Sequence, residues 1–483
     1  MVKKMSNLPL SIGVIHFIGI GGIGMSGIAE VLNELGYDVS GSDINENNNT
    51  IRLKNLGLKV HIGHNTSNVQ EAKIVVVSTA ISSNNIELLE AKSNRIPIVH
   101  RAEMLCELMR LKWSIAIAGT HGKTTTTSLV ASILDGADFD PTVINGGIIN
   151  NWSSNAKLGK GEWMVVEADE SDGSFSKLTP TVAVVTNIDS EHLDFHGSFE
   201  NLEEAFNKFI SSTPFYGFKV LCIDHPTVQK LIPLNKDRRL LTYGLSATAD
   251  VKAMNINFLD EFTSFDLVLS NRILNNSVIW KNIKLPMHGH HNVLNCLASI
   301  AVSVEMGVSE KSIRRSLENF KGIKRRFEKK GSTNTGVKVI DDYGHHPVEI
   351  NYALSSGRIL AKKNKLIAVF QPHRFSRLLD LFDDFCSCFN NADYVFITDV
   401  YAAGEEEIEG YNKEALVSGI LDCGHNNVST VNNENEIYHK INEIAKADDV
   451  VIFLGAGNIT KFSDTIISKI NNLEVNNLSL IHI

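Results

Sequence analysis

The segment Gly119-Thr120-His121-Gly122-Lys123-Thr124-Thr125 carries the plainest chemistry in the chain. It follows an apolar run, Trp113 to Ala118, and precedes a helix-compatible stretch from Thr124 to Leu134. Glycines at such a turn let backbone N–H groups approach phosphate oxygens, and a helix N-terminus favours negative charge. Lys123 would reach the outer phosphates, and the Thr124 hydroxyl can ligate Mg²⁺. The general P-loop pattern places a glycine where this chain has Ile117. An ordinary strand–helix turn is the rival reading. Gly-Lys-Thr at the mouth of a strand favours nucleotide binding.

A second cluster lies further on. The run Trp163 to Glu167 reads as a strand and leads into Ala168-Asp169-Glu170-Ser171-Asp172-Gly173. Carboxylates this dense repel one another unless they are solvated or hold a cation. Parallel sheets gather ligands at the carboxyl ends of their strands. Glu167 is therefore the candidate Mg²⁺ ligand, directly or through water. The next strand ends near Asn187, and His192 follows as a second metal or phosphate ligand. A solvated acidic loop and a satisfied core histidine are the plainer alternatives.

These groups need a scaffold, and the apolar runs describe one. The chain has 483 residues, 43% hydrophobic and 21% charged, with a net charge of −9. That balance fits a soluble chain of about three domains. It excludes a disordered or rod-like chain, and the missing basic surplus argues against a nucleic-acid partner. Six scattered cysteines, Cys106, Cys222, Cys296, Cys386, Cys388 and Cys423, show no CxxC pair. They read as buried small hydrophobes in a reducing compartment. Buried strands are expected at 74–78, 115–118, 164–168, 182–187, 219–223, 337–341, 366–370, 394–398 and 450–454. Helix-length segments separate them, which predicts parallel sheets covered by helices. Helices are expected around 292–303 and 309–320. The segment 471–483 reads as an Asn-rich tail of uncertain order.

Lys3 and Lys4 precede an uncharged stretch from Leu8 to Ala29, long enough to span a membrane. Its glycines argue for another reading. Val14 to Ile18 is a strand, Gly19 to Gly24 a tight turn, Met25 to Leu35 a helix, and Tyr37 to Ser40 the start of a second strand. Asp43 then falls where an acidic residue meets a ribose in dinucleotide folds. The expectation is a cytoplasmic β-α-β unit, with no membrane partner.

The full set of motifs resembles a known family. Gly19-Ile20-Gly21-Gly22-Ile23-Gly24-Met25-Ser26-Gly27, the 119–125 loop, the 167–173 loop and Asp341-Asp342-Tyr343-Gly344-His345-His346-Pro347 are similar to the Mur ligases, in the branch that adds L-alanine. Further matches are His291-Asn292-Val293-Leu294-Asn295, Arg325-Arg326-Phe327, Phe370-Gln371-Pro372-His373-Arg374-Phe375-Ser376-Arg377 and Tyr401-Ala402-Ala403-Gly404-Glu405. They run in family order from residue 19 to about 460. The family uses the shorter phosphate loop, which accounts for Ile117.

The resemblance implies an α/β fold of three domains. Residues 1–110 would form a Rossmann-like UDP-sugar domain, 111–324 a central P-loop ATPase-like parallel-sheet domain, and 325–483 an α/β domain for the amino acid. It implies ATP-dependent joining of L-alanine to the carboxylate of UDP-N-acetylmuramate through an acyl phosphate, for peptidoglycan precursor synthesis. ATP is the co-substrate and Mg²⁺ the cofactor. A monomer or weak homodimer is expected.

Residue by residue, the resemblance assigns Gly119, Thr120, His121, Gly122, Lys123, Thr124 and Thr125 to the ATP phosphates. Thr124, Glu167 and His192 would hold metal. Asn292 and Asn295 would hold adenine, Arg326 the phosphates, and Asp341 or Asp342 the ribose. Lys123, Glu167, His192, Arg326 and His345 would be catalytic. Tyr343, His345, Arg374 and Arg377 would shape the alanine pocket. Gly21, Gly22, Ile23, Gly24, Asp43 and, more weakly, Ser78 would bind the UDP-sugar. Taken alone, the glycine turn also fits NAD, His345-His346 a metal site, and Arg374 and Arg377 surface salt bridges. The turn Gly455-Ala456-Gly457-Asn458 fits either ligand contact or close packing. The rival functions are a recycling ligase that adds a whole peptide, a dinucleotide-dependent oxidoreductase and a regulatory P-loop ATPase.

Overall fold

The computed structural model describes residues 12–171, 173–274 and 276–480, without the side chains of Asp194 and 472–480. Lys3, Lys4, the start of the uncharged stretch, Asp172 and the end of the tail lie outside the described residues. Three sheets carry the chain. The first has five strands in the order Lys59–Ile62, Val39–Asp43, Val14–Ile18, Ala72–Val77, Ile98–His100. Every pairing in it is parallel. The β-α-β reading of the N-terminus holds. The first helix, Ile23–Glu34, starts two residues earlier than expected, and the second strand is Val39–Asp43 rather than one starting at Tyr37. Gly36, at φ +92°, turns the chain between them.

The second sheet has ten strands. Its centre is Trp113–Ala118, flanked in parallel by Trp163–Glu167 and Val182–Val185. Phe218–Cys222 and Leu240–Gly244 continue it in parallel on one side, and Thr142–Ile149 on the other. Central strands buried on both faces need continuous apolar runs, and Ile115, Ala116, Ile117 and Val182 to Val185 are all fully buried. Each fully buried Val or Ile side chain contributes about 1.5–3 kcal/mol. Short antiparallel Ser154–Lys157 closes one edge. Val251–Phe258, Thr263–Leu269 and Val278–Leu285 extend the other.

The third sheet has six strands in the order Glu328–Ser332, Lys338–Asp342, Val450–Leu454, Leu366–Phe370, Tyr394–Ile397, Val428–Thr430. All are parallel except the first. Helix Thr460–Leu480 runs through most of the segment read as a tail. The chain divides into two compact units. One runs through Asn257 and includes Ser264–Pro286 and Asn292–Lys321, so it holds the first two sheets. The other comprises Phe258–Thr263, Met287–His291 and the chain from Gly322. All six cysteines are free. Four are buried as expected, but Cys106 is half-buried and Cys423 exposed. No helix among the described residues is long and apolar enough to cross a membrane.

Candidate functional site

Strand Trp113–Ala118 delivers the glycine loop to the carboxyl edge of the second sheet, and helix Lys123–Gly136 leaves from it. Gly119 and Gly122 have φ of +138° and +81°, which L side chains rarely adopt. The neighbouring strand end fixes the loop. The amide of His121 donates to Asn187 Oδ1 at 2.7 Å, and Thr186 Oγ1 donates to the His121 carbonyl at 2.7 Å. Asn187 and Thr186 are loop supports that motif reading did not single out.

Lys123 is folded back on its own loop. Its Nζ donates to the carbonyls of Gly119 (2.6 Å) and Thr120 (3.1 Å) and to Glu170 Oε1 (2.7 Å). Burial works against its charge, but Glu170, Asp169 and Glu167 outweigh it and hold its pKa above the ordinary lysine value. Burial pushes the Glu170 carboxyl up to about 7, with Lys123 pulling the other way. Thr124 Oγ1 donates to Glu167 Oε1 at 3.1 Å, and the Gly146 amide donates to Glu167 Oε2 at 2.7 Å.

His192 lies 4.0 Å from Glu170 and 4.0 Å from Glu191. Among the described residues, one group of acidic and imidazole donors is close enough to enclose an ion: Glu170, Glu191 and His192. Glu167, paired with Thr124, is not in that group. Carboxylate and hydroxyl oxygens suit a hard divalent cation. Glu170 Oε2 is buried and has no hydrogen-bond partner among the described residues. The carboxylates and the Thr124 hydroxyl therefore fit Mg²⁺, while the His192 imidazole is a softer donor than Mg²⁺ prefers. Which carboxylate of the acidic loop faces the lysine depends on how the chain turns after Glu167, and no periodicity encodes that.

Asn292 and Asn295, on helix His290–Glu305, are both buried. Asn295 Oδ1 accepts from Thr126 Oγ1 at 3.2 Å, and its Nδ2 donates to Asn292 Oδ1 at 3.4 Å. The pair thus sits against the first turn after the phosphate loop.

In the first sheet, Gly21, Gly22, Ile23 and Gly24 form the turn into helix Ile23–Glu34. The Asp43 carboxylate accepts from the Gly21 amide at 2.8 Å, so it braces the turn. Ser78 follows strand Ala72–Val77 at the same edge. Arg101 is a neighbour no motif pointed to. A Cβ on Gly24 would lie 3.3 Å from its Cδ and Nη1. Its Nη2 donates to Asp169 of the acidic loop at 3.0 Å.

The third sheet carries its own cluster. Tyr343, His345, His373 and Tyr401 form a chain of ring contacts with centroids 5.2, 5.9 and 5.5 Å apart. His345 Nδ1 is 3.0 Å from the Tyr343 carbonyl. A carbonyl only accepts, so Nδ1 carries the proton and Nε2 presents its lone pair. Burial pulls His345 down to about 4, with Arg377 acting the same way and Glu349 opposing. Arg377 Nη1 lies 3.4 Å from His373 Nδ1, which must accept. Arg374, at φ +70°, lies 3.9 Å from Glu405. Arg326 packs over the Tyr343 ring at 5.3 Å and lies 3.5 Å from Glu349. Glu349, in the first turn of helix Pro347–Ala361, carried no motif signal.

The two aspartates proposed for ribose are different. Asp341 is fully buried and accepts from Thr460 Oγ1 at 2.5 Å. Asp342 is buried, with its oxygens on the amides of Phe327 (2.6 Å) and Gly344 (2.7 Å). Burial raises both, Asp342 to about 6. Asp341 Oδ1 is buried with no hydrogen-bond partner among the described residues, whereas both oxygens of Asp342 are held by backbone amides.

A glycine loop bearing Lys-Thr at the edge of a parallel sheet, faced by an acidic strand end, defines a nucleotide-binding α/β protein of the P-loop type. Three family models match in order: the Mur ligase family, catalytic domain over residues 14–113; the Mur ligase middle domain over 117–303; and the Mur ligase, glutamate ligase domain over 325–457. The chain belongs to the Mur ligase family. It is 54% identical over 469 residues to a UDP-N-acetylmuramate–L-alanine ligase of Rhodospirillum centenum, covering 97% of each chain. A ligase of the same name from Bartonella tribocorum is 51% identical over 467 residues, covering 97% of this chain and 98% of that one. The crystal structure of UDP-N-acetylmuramate–alanine ligase from Thermotoga maritima superposes with a TM-score of 0.80 at 29% identity, covering 95% of this chain and 99% of that one. A murein peptide ligase from Psychrobacter arcticus shares the fold, with a TM-score of 0.70 at 23% identity over 95% of this chain and 99% of that one.

Proposed function

We propose that this chain uses ATP to join L-alanine to the carboxylate of UDP-N-acetylmuramate, releasing ADP and phosphate. The observation that carries the reading is the contact between Thr124, at the end of the Lys123 loop, and Glu167, at the neighbouring strand end, in a chain similar over 97% of its length to ligases of that name.

A carboxylate is a poor electrophile, so its oxygen first attacks the γ-phosphorus of ATP and ADP leaves. The alanine amine then attacks the acyl carbon, and phosphate departs from the tetrahedral intermediate. Two anions meet in the first step, so positive charge must be fixed there beforehand. Lys123 supplies it after leaving Glu170 for the phosphates. Mg²⁺, held by Thr124 and Glu167, would neutralise further phosphate charge, and His192, beside Glu170 and Glu191, would be the ligand of a second metal. The N-terminus of helix Ile23–Glu34 would receive the UDP diphosphate, with Asp43 bracing its turn. Neutral His345 would accept an N–H of the alanine amine at Nε2, and Arg374 and Arg377 would hold anionic oxygens. Arg326 would meet the ATP phosphates, and Asn292 and Asn295 the adenine.

We infer a cytoplasmic enzyme, monomeric or weakly dimeric, with no nucleic-acid or membrane partner. The test is phosphate release from ATP and Mg²⁺ with UDP-N-acetylmuramate, with and without L-alanine. Alanine-dependent release and a product of matching mass are expected. Release with a tripeptide but not with alanine overturns the reading in favour of peptide recycling.

A further inference from the structure

Arg325 precedes the arginine assigned to phosphate, and no role has been given to it. Its surroundings are unusual for a basic side chain at a bend. Its backbone is left-handed at φ +60°, and Phe327 follows at φ +49°. A non-glycine residue held there costs of order 1 kcal/mol or more, so the surroundings must impose it. They do so from several sides. The Arg325 amide donates to Glu328 Oε2 at 2.9 Å, and its carbonyl accepts from the Tyr343 amide at 2.7 Å.

The side chain does more. Its guanidinium donates to the carbonyls of Gly455, Gly457 (3.2 Å) and Ala456 (3.5 Å). The same group covers the Tyr343 ring at 4.8 Å and lies 4.0 Å from buried Asp341. Arg325 thus grips the glycine turn after strand Val450–Leu454 and the loop after strand Lys338–Asp342 at once. Both loops reach the ring cluster. Tyr343 starts it, and a Cβ on Gly457 would lie 2.8 Å from Tyr401 Cγ at its other end. A planar, pre-organised fork satisfies several carbonyls while stacking on a ring better than a flexible ammonium does.

We propose that Arg325 is a positioning residue for the amino-acid pocket: its guanidinium fixes the 455–457 turn and the Tyr343 ring relative to each other, and so sets the spacing of the wall formed by Tyr343, His345, His373 and Tyr401. This rests on the reading of that wall as the alanine pocket. Arg325 itself touches no substrate.

The test compares Arg325→Lys and Arg325→Ala with the wild-type chain in steady-state kinetics and hydrogen exchange. Breaking charge-assisted bonds of this kind is expected to raise the alanine KM about tenfold in Arg325→Ala. The ATP and UDP-sugar KM should stay within about twofold, and Arg325→Lys should fall between. Amides of 343–345 and 456–458 should exchange faster in both variants, while strand Leu366–Phe370 stays protected. A lower melting temperature with all three KM values unchanged overturns the proposal, as does unchanged exchange in both loops. The exchange arm needs no turnover. If the wild-type chain fails to use alanine, the functional reading falls while the exchange data still decide whether Arg325 couples the two loops.

Discussion

Lys123 Nζ lies 2.7 Å from Glu170 Oε1, which joins the largely covered lysine of the phosphate loop to a buried carboxylate of the acidic loop. The lysine that should meet ATP is therefore held by a carboxylate and by two carbonyls of its own loop. On the proposed reading, ATP phosphate displaces this arrangement when it binds. Lys123→Ala should cut alanine-dependent phosphate release by at least about 100-fold, the scale of losing one electrostatic stabiliser. The fold should survive, because Glu170 can take up a proton near pH 7 once its partner is gone. Wild-type turnover in a folded Lys123→Ala protein would sink the phosphate-loop assignment.

Arg101 bridges the glycine turn of the first sheet and the acidic loop of the second. Burial disfavours the Asp169 charge, but Arg101 and then Lys123 outweigh it and hold that carboxyl below its usual range. A guanidinium beside Gly24 is well placed for a diphosphate at the helix N-terminus. Arg101→Ala should weaken UDP-N-acetylmuramate binding about tenfold, measured by calorimetry without ATP. Equal affinity in the variant would restrict Arg101 to holding Asp169.

The strands that position the site were legible because they are continuous apolar runs. Leu366–Phe370 and Val450–Leu454 lie where the sequence predicts them, to the residue. Lys59–Ile62 and Val278–Leu285 were not legible. They are edge or near-edge strands with polar and half-exposed positions, so they lack the signature of burial on both faces. Within the site, Lys123 and Thr124 announce themselves by spacing. Glu170, Glu349 and Arg101 do not, because tertiary turns bring them to their partners. Asp341 and Asp342 looked available at a strand end. Thr460, far along the chain, takes one oxygen of Asp341, and the Phe327 amide one oxygen of Asp342, neither of which a strand-end motif encodes.

Glu87 is fully buried against the first sheet. Burial alone would raise its pKa. Hydrogen bonds from His16, Ser42, Asn68 and the Asn65 amide outweigh that and hold it down to about 2. The folded carboxyl therefore binds fewer protons than the unfolded one. Its stabilisation is complete above the ordinary value near 4.5 and is lost as pH falls toward 2. A shift of this size corresponds to about 3 kcal/mol at neutral pH. Glu87→Gln should lower the urea midpoint clearly at pH 7, with the gap to wild type closing as pH falls below about 4. A gap that does not change with pH would assign the loss to packing.

Gly122 offers a controlled test of loop geometry. Its φ is +81°, and a Cβ there would lie 2.4 Å from Asn295 Oδ1, the atom that accepts from Thr126. Gly36 has a similar φ of +92°, and its Cβ would meet nothing within 4 Å. Alanine at either position adds left-handed strain of about 1–2 kcal/mol. Only Gly122→Ala also pushes on Asn295. Both variants should therefore lose similar backbone stability, with an extra loss in Gly122→Ala. The ATP KM should rise about tenfold in Gly122→Ala and stay at the wild-type value in Gly36→Ala. Equal ATP KM values in the two variants would detach Asn295 and the loop backbone from nucleotide binding.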